Sequence, residues 1–153
     1  MKKFVSIISL LILSGCATVQ KPASEAYSGP VANVADSFNT ISTSKIEFFY
    51  VESVDGSIVN NSRAASVSAS RGRGMYLSPV FVQRVVPASK PVTLVLVART
   101  EYAAPILTLT SPVFQIKGKF DFVPEPGVRY VVRGLLGEES SSVWLEEEDS
   151  EKV

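Results

Sequence analysis

Residues 116–133 read IKGKFDFVPEPGVRYVVR, and this stretch decides the fold class. From Ile116 to Phe122 the residues alternate: Ile116, Gly118, Phe120 and Phe122 point one way, Lys117, Lys119 and Asp121 the other. A period of two belongs to a strand with one face on a core and one in water, because successive side chains leave a strand on opposite faces. Pro124-Glu125-Pro126-Gly127 interrupts it as a turn, since proline cannot donate to a sheet ladder and glycine tolerates positive φ. Alternation then resumes, with Val128, Tyr130 and Val132 on one face and Arg129, Val131 and Arg133 on the other. Phe120, Phe122, Tyr130 and Val132 are therefore expected in the core. If the two strands pair, Lys117, Lys119, Arg129 and Arg133 form one outward basic patch.

The same vocabulary extends in both directions. Ile46 to Val54 reads as a strand, and Asp55-Gly56 after it supplies the positive-φ pair of a tight hairpin turn, with Ser57 to Asn60 returning as its partner. Val80 to Val86 and Val92 to Thr100 are two more strands, separated by Pro87 to Pro91. Ile106 to Thr110 is another, set off by Pro105 and Pro112, and Ser142 to Glu146 is a last one carrying Trp144. Val67 to Ser70 reads as an edge strand or loop. Val31 to Ser44 has apolar residues at helical spacing, but its Asn, Asp, Ser and Thr are poor helix formers, which favours a short edge strand followed by a loop. No long helical pattern appears. Short strands punctuated by Gly and Pro predict an all-β fold: an antiparallel two-sheet β-sandwich of about eight strands, over residues 30–148.

The N-terminus is of a different kind. Lys2 and Lys3 precede an apolar run from Phe4 to Leu13, broken only by Ser6 and Ser9. Crossing a bilayer takes about 20 residues, so this run has the length of a signal-peptide core. Leu13-Ser14-Gly15-Cys16 follows and resembles a bacterial lipobox, which makes 1–15 a signal peptide and Cys16 the lipid-attachment site. Ala17 after the cysteine matches the sorting rule that favours the outer membrane. Each buried methylene of an acyl chain adds about 0.8 kcal/mol of membrane affinity, so a triacylated cysteine anchors almost permanently. Residues 16–29, rich in Ala, Ser and Thr, read as the acylated start of a flexible tether.

Composition narrows the chemistry. The chain has 153 residues, no histidine and one cysteine, which removes His-based catalysis, His-ligated metals and any intramolecular disulfide. Its 15 Lys+Arg balance 15 Asp+Glu, so no global basic field exists to drive binding to nucleic acid. The balance is uneven along the chain: residues 16–137 hold 12 basic and 8 acidic residues, whereas 138–153 hold seven acids and only Lys152. Residues 149–153 are expected as an acidic tail, and the final residues, from about Glu147, as mobile and only weakly attracted to the face bearing Arg129 and Arg133. Glu146 to Asp149 alternate in direction along a strand and do not converge on a cation. Ser42-Thr43-Ser44-Lys45 matches S-x-x-K, but the S-D-N and K-T-G elements of that catalytic set are missing.

One loop invites a ligand. Arg71-Gly72-Arg73-Gly74 offers exposed amides and two guanidinium groups that suit phosphate or carboxylate, although neither phosphate-loop pattern is completed around it. The same residues also suit a plain solvated turn.

The lipobox, the Val54-Asp55-Gly56 turn, Ser70 to Gly74, Tyr102-Ala103-Ala104-Pro105-Ile106, the Gly118–Gly134 run and Ser142-Val143-Trp144-Leu145-Glu146 together resemble a group of small, uncharacterised proteobacterial lipoproteins with a transthyretin-like or immunoglobulin-like β-sandwich. That resemblance implies an outer-membrane, lipid-anchored protein facing the periplasm and no assigned activity. The sequence thus leads to a non-catalytic interaction or assembly module, held to the membrane through Cys16, with an envelope protein as partner and without cofactor, metal or nucleic acid. The alternative is a binding module for an anionic envelope ligand or glycan, through Arg71, Gly72, Arg73 and Gly74 or through the face with Lys117, Lys119, Arg129 and Arg133.

Overall fold

The computed structural model describes residues 27–148. Nine strands form two sheets: β1 (Val31–Ala35), β2 (Ser37–Ser42), β3 (Lys45–Val54), β4 (Ser57–Ile58), β5 (Gln83–Pro87), β6 (Val92–Tyr102), β7 (Gln115–Phe122), β8 (Arg129–Leu135) and β9 (Ser142–Glu147). One sheet has the order β5-β1-β8-β9; the other runs β2-β3-β6-β7, with β4 beside β3. The expected sandwich is present, with one departure: β1 lies parallel to β8, while every other described pairing is antiparallel.

Apolar side chains of both sheets meet between them, with Val34, Val51, Val86, Leu94 and Val132 among the least exposed. A second cluster lies on the outer face of the larger sheet, where Ile46, Phe48, Tyr50 and Val97 meet Leu77 and half-buried Val67. Strand β3 is consequently covered on both faces, which explains its nearly continuous apolar run, Phe48-Phe49-Tyr50-Val51. The Asp55-Gly56 turn forms as the sequence implies, with φ of 48° and 79°. Its return strand stops at Ile58, two residues short of expectation.

Three other stretches differ. Val31 to Ser42 forms two strands, and β1 is interior to its sheet, not an edge: the chain crosses between sheets at Asp36. Ile106 to Thr110 is not a strand; Pro105 to Leu109 forms a 3-10 turn, for which proline at the start pre-sets φ. Residues 67–69 belong to a helix, α1 (Ser62–Ala69), with Ser70 its C-cap and Asn61 its N-cap, whose side chain accepts from Ala64 N at 2.9 Å.

The serines that make α1 a poor helix in isolation are what hold it. Ser62, Ser66 and Ser70 are four residues apart, hence on one face, about 6 Å per step. The segment leading into β5 runs antiparallel beside them, and alternate amides of an extended chain are about 6.6 Å apart. The two repeats match: Val82 N donates to Ser62 Oγ (3.1 Å), Val80 N to Ser66 Oγ (2.7 Å) and Ser78 N to Ser70 Oγ (2.9 Å). A helix face thus takes the place of a neighbouring strand.

Candidate interaction surfaces

Asp36, at the sheet crossing, is fully buried. Its Oδ1 accepts from Val51 N (3.1 Å) and from Arg84 Nη1 (2.7 Å), and its Oδ2 accepts from Ser62 N (2.7 Å). Arg84 Nη2 donates in turn to Asn60 O at 3.2 Å. One carboxylate therefore ties together the β1/β2 crossing, the bulge in β3, the start of α1 and β5. The group is sealed from solvent, so its chemistry is structural. Neither Asp36 nor Arg84 belongs to a motif in the sequence. In the sequence Asp36 is one charge between Ala35 and Ser37, and Arg84 one charge between Gln83 and Val85, with no pattern joining them.

Arg71, Gly72, Arg73 and Gly74 form the loop that leaves α1. Gly72 and Gly74 have φ of 77° and 64°, conformations that side chains disfavour. Arg71 and Arg73 are exposed, and Arg73 Nη1 donates to Ser78 Oγ at 3.2 Å. Beyond them Met75 and Tyr76 are exposed, at 45% and 63%, before Leu77 turns into the outer cluster and its N–H donates to Thr43 O at 2.8 Å. The loop is thus pinned at both ends and presents two cations beside two large apolar groups.

The second expected basic site does not exist as one patch. Strands β7 and β8 do not pair: β7 is hydrogen-bonded to β6, and β8 to β1 and β9. The connection Val123–Val128 is too long for a tight hairpin and instead bridges the roughly 10 Å between stacked sheets. Lys117 and Lys119 accordingly face outward from one sheet, and Arg129 and Arg133 outward from the other. Lys117 pairs with Glu52, Arg129 with Glu148 at 3.0 Å, and Arg133 with Glu146 at 3.9 Å. These exposed pairs are worth about 0–1 kcal/mol each, but they neutralise most of the charge on which the expected site depended. Glu147 and Glu148 are part of the sheet: Glu147 lies opposite Tyr130 in the ladder, and Glu148 N donates to Arg129 O at 2.8 Å.

Phe120 also departs from expectation. Its strand has the predicted alternation, and Phe122 packs edge-on against buried Tyr130 at 5.2 Å, but Phe120 remains 38% exposed. Strand β7 is the last of its sheet among the described residues, so nothing covers the outer flank of its inward-facing side chains. Trp144 lies on the outer face of β9, 39% exposed, with its Nε1 donating to Glu146 Oε2 at 3.4 Å.

The two ends of the sandwich differ. At one, the chain enters: Ala88 N donates to Pro30 O (2.8 Å), Gly127 N to Val31 O (2.8 Å) and Ser89 N to Pro124 O (2.9 Å). At the other lie the Arg71–Tyr76 loop, the end of β2, the 3-10 turn and the end of β8. Ala103 N donating to Ser44 O (2.9 Å) draws the 3-10 turn and the end of β2 together. This far end displays Ile106 (65% exposed), Leu109 (78%) and Leu135 (65%) in addition to Tyr76. The signal segment 1–15, Cys16, the tether up to residue 26 and the acidic tail 149–153 lie outside the described residues. Comparison of the chain with protein-family models, with curated proteins and with solved structures finds no match in any of the three.

Proposed function

We propose that this chain is an envelope lipoprotein, anchored through acylated Cys16 to the periplasmic face of the outer membrane, whose β-sandwich is a non-catalytic interaction or assembly module. The observation that carries the reading is the polarity of the molecule. The lipobox and tether lead into one end of the sandwich, and the opposite end bears exposed Tyr76, Ile106, Leu109 and Leu135 beside the Arg71–Gly74 loop. A domain attached at one end leaves its opposite end free to meet a partner protein. Exposed large apolar groups at one end of a domain, beside two arginines, suit such a contact. The absence of histidine from the sequence and the position of the sole cysteine in the lipobox support a binding role. The resemblance to small proteobacterial lipoproteins agrees with the anchoring.

Two measurements test the reading. Cys16→Ser is expected to release the protein from membranes through a high-salt wash; retention would refute the lipid anchor. A photo-cross-linking residue at Tyr76 is expected to capture a discrete envelope protein, whereas one at Lys90, beside the end where the chain enters, is expected to capture none. Equal capture from both would refute the assignment of the far end.

A second reading is favoured by the Arg71–Gly74 loop itself, which holds two exposed guanidiniums on a short pinned segment: recognition of an anionic envelope ligand or glycan. Arg71→Gln with Arg73→Gln is expected to abolish retention on anionic vesicles at low salt if that reading holds, and to leave Tyr76 cross-linking unchanged if the first one does.

A further inference from the structure

A protease binds its substrate as an extended segment whose amides pair with the enzyme, so residues already held in a ladder or helix are refused. Every described lysine and arginine outside the Arg71–Gly74 loop lies in a strand or in α1, with one exception. The exception, Lys90, precedes Pro91, whose ring in place of an N–H blocks attack on the bond between them. The loop is the opposite case. Arg71 and Arg73 are exposed, as are Met75 and Tyr76 after them. The amides of Gly72, Gly74 and Met75 donate to no described residue, and the two glycines let the segment straighten.

Of the two Arg–Gly bonds, Arg73–Gly74 is the open one. Arg71 follows the last turn of α1 directly, where Ser70 N donates to Ser66 O at 3.0 Å. Arg73 has loop on both sides, Arg71-Gly72 before it and Met75-Tyr76 beyond Gly74. Only its own amide, donating to Ser70 O at 3.1 Å, and its exposed contact with Ser78 Oγ must be given up to enter a cleft.

A cut there divides the described domain into residues 27–73 and 74–148, but the sheets do not divide with it. Strand β1, in the first part, lies between β5 and β8, both in the second. Strand β3 is laddered to β6 from Lys45–Tyr102 to Val54–Leu94. The Asp36–Arg84 pair spans the cut, and so do the bonds from Val82, Val80 and Ser78 to the three serines of the α1 face. Neither part has a core of its own, since Val34 and Val51 pack against Val86, Leu94 and Val132.

We infer that Arg73–Gly74 is a processing site, cleaved by an arginine-specific serine-type endopeptidase into two chains that remain one domain. One water is consumed as the C–N bond breaks: its oxygen goes to the new Arg73 carboxylate and its protons to the Gly74 amine. The carboxylate offsets part of the charge of Arg71 and Arg73, and Met75 and Tyr76 are released at one end. Through the far-end contact proposed above, on which only this consequence rests, the cut alters partner binding while the anchored part retains the other.

The full chain, purified in a nonionic detergent and treated briefly with trypsin, is expected to give two fragments that meet at Arg73–Gly74. They are expected to co-elute in gel filtration and to keep the circular dichroism of the uncut protein. Arg73→Gln is expected to stay a single chain over the time in which the unaltered protein is fully cut, whereas Arg71→Gln is cut as before. In native envelopes the protein is expected as two chains, joined until denatured, and the Arg73→Gln variant as one. First cleavage elsewhere within residues 27–148, undiminished cleavage of Arg73→Gln, separation of the fragments, or a native protein found only as a single chain would each overturn the proposal. Cross-linking at Tyr76 is scored separately, so failure of the partner reading leaves the cleavage result standing.

Discussion

Replacing Asp36 with alanine tests the account of how this sandwich holds together. The carboxylate is fully buried and accepts hydrogen bonds from Arg84, Val51 N and Ser62 N. Without it, the Arg84 guanidinium, only 4% exposed, loses its counter-charge, and two backbone N–H groups lose their acceptor. Removing one partner of a buried ion pair costs about 3–5 kcal/mol, and each stranded donor about 1–3 more. A domain of this size has about 5–15 kcal/mol in total, so Asp36→Ala is expected to leave little or no folded protein. Asp36→Asn is the more informative variant, because it keeps the shape but turns an acceptor oxygen into a donor facing donors. It is expected to lose about 3–5 kcal/mol in urea unfolding followed by far-ultraviolet circular dichroism. Arg84→Met leaves the carboxylate two amide donors. The double variant is therefore expected to lose less than the sum of the single losses, with a coupling of about 1–3 kcal/mol. A loss below about 1 kcal/mol for Asp36→Asn, or additivity within about 0.5 kcal/mol, would refute the idea that this cluster ties the elements together.

Four further outcomes are open to the same assay. Ser66→Ala strands Val80 N beside α1 and is expected to cost about 1–3 kcal/mol; a neutral effect would mean the helix–strand match contributes nothing. A Cβ on Gly134 would lie 2.6 Å from Phe49 Cδ1 and 2.7 Å from Ser142 O, so Gly134→Ala is expected to destabilise by about 1–3 kcal/mol while Gly118→Ala, in open space, is tolerated. Phe48→Ala, at a fully buried position, is expected to cost about 3–5 kcal/mol, and Phe120→Ala, at a position 38% exposed, distinctly less. Burial holds the Tyr50 phenol above its usual pKa, so the unfolded chain loses that proton first and stability falls as pH rises past about 10. Tyr50→Phe is expected to flatten that alkaline limb, and an unchanged slope would assign the loss to other groups.

The all-β character, the Asp55-Gly56 turn and the alternation of β7 and β8 were legible in the sequence because each rests on neighbours in the chain: a period of two, or a dipeptide suited to positive φ. The resemblance to a signal peptide and lipobox likewise rests on a linear pattern, complete within 16 residues. What the chain could not display was which strands share a sheet. Lys117 and Arg129 look like one patch when read in order, yet the long link after β7 carries the chain to the other layer, and that choice depends on what packs on each face. The helix α1 was hidden for a related reason. Ser62, Ser66 and Ser70 weaken a helix in isolation because their hydroxyls compete for backbone groups, and they become favourable only when an extended segment 8 to 20 residues away brings amides at matching spacing. Phe120 obeys the local pattern but sits on an edge, so its burial depends on a neighbouring strand that its own sheet does not supply. Asp36 and Arg84, 48 residues apart, are two isolated charges until tertiary folding places them 2.7 Å from each other in a site closed to water.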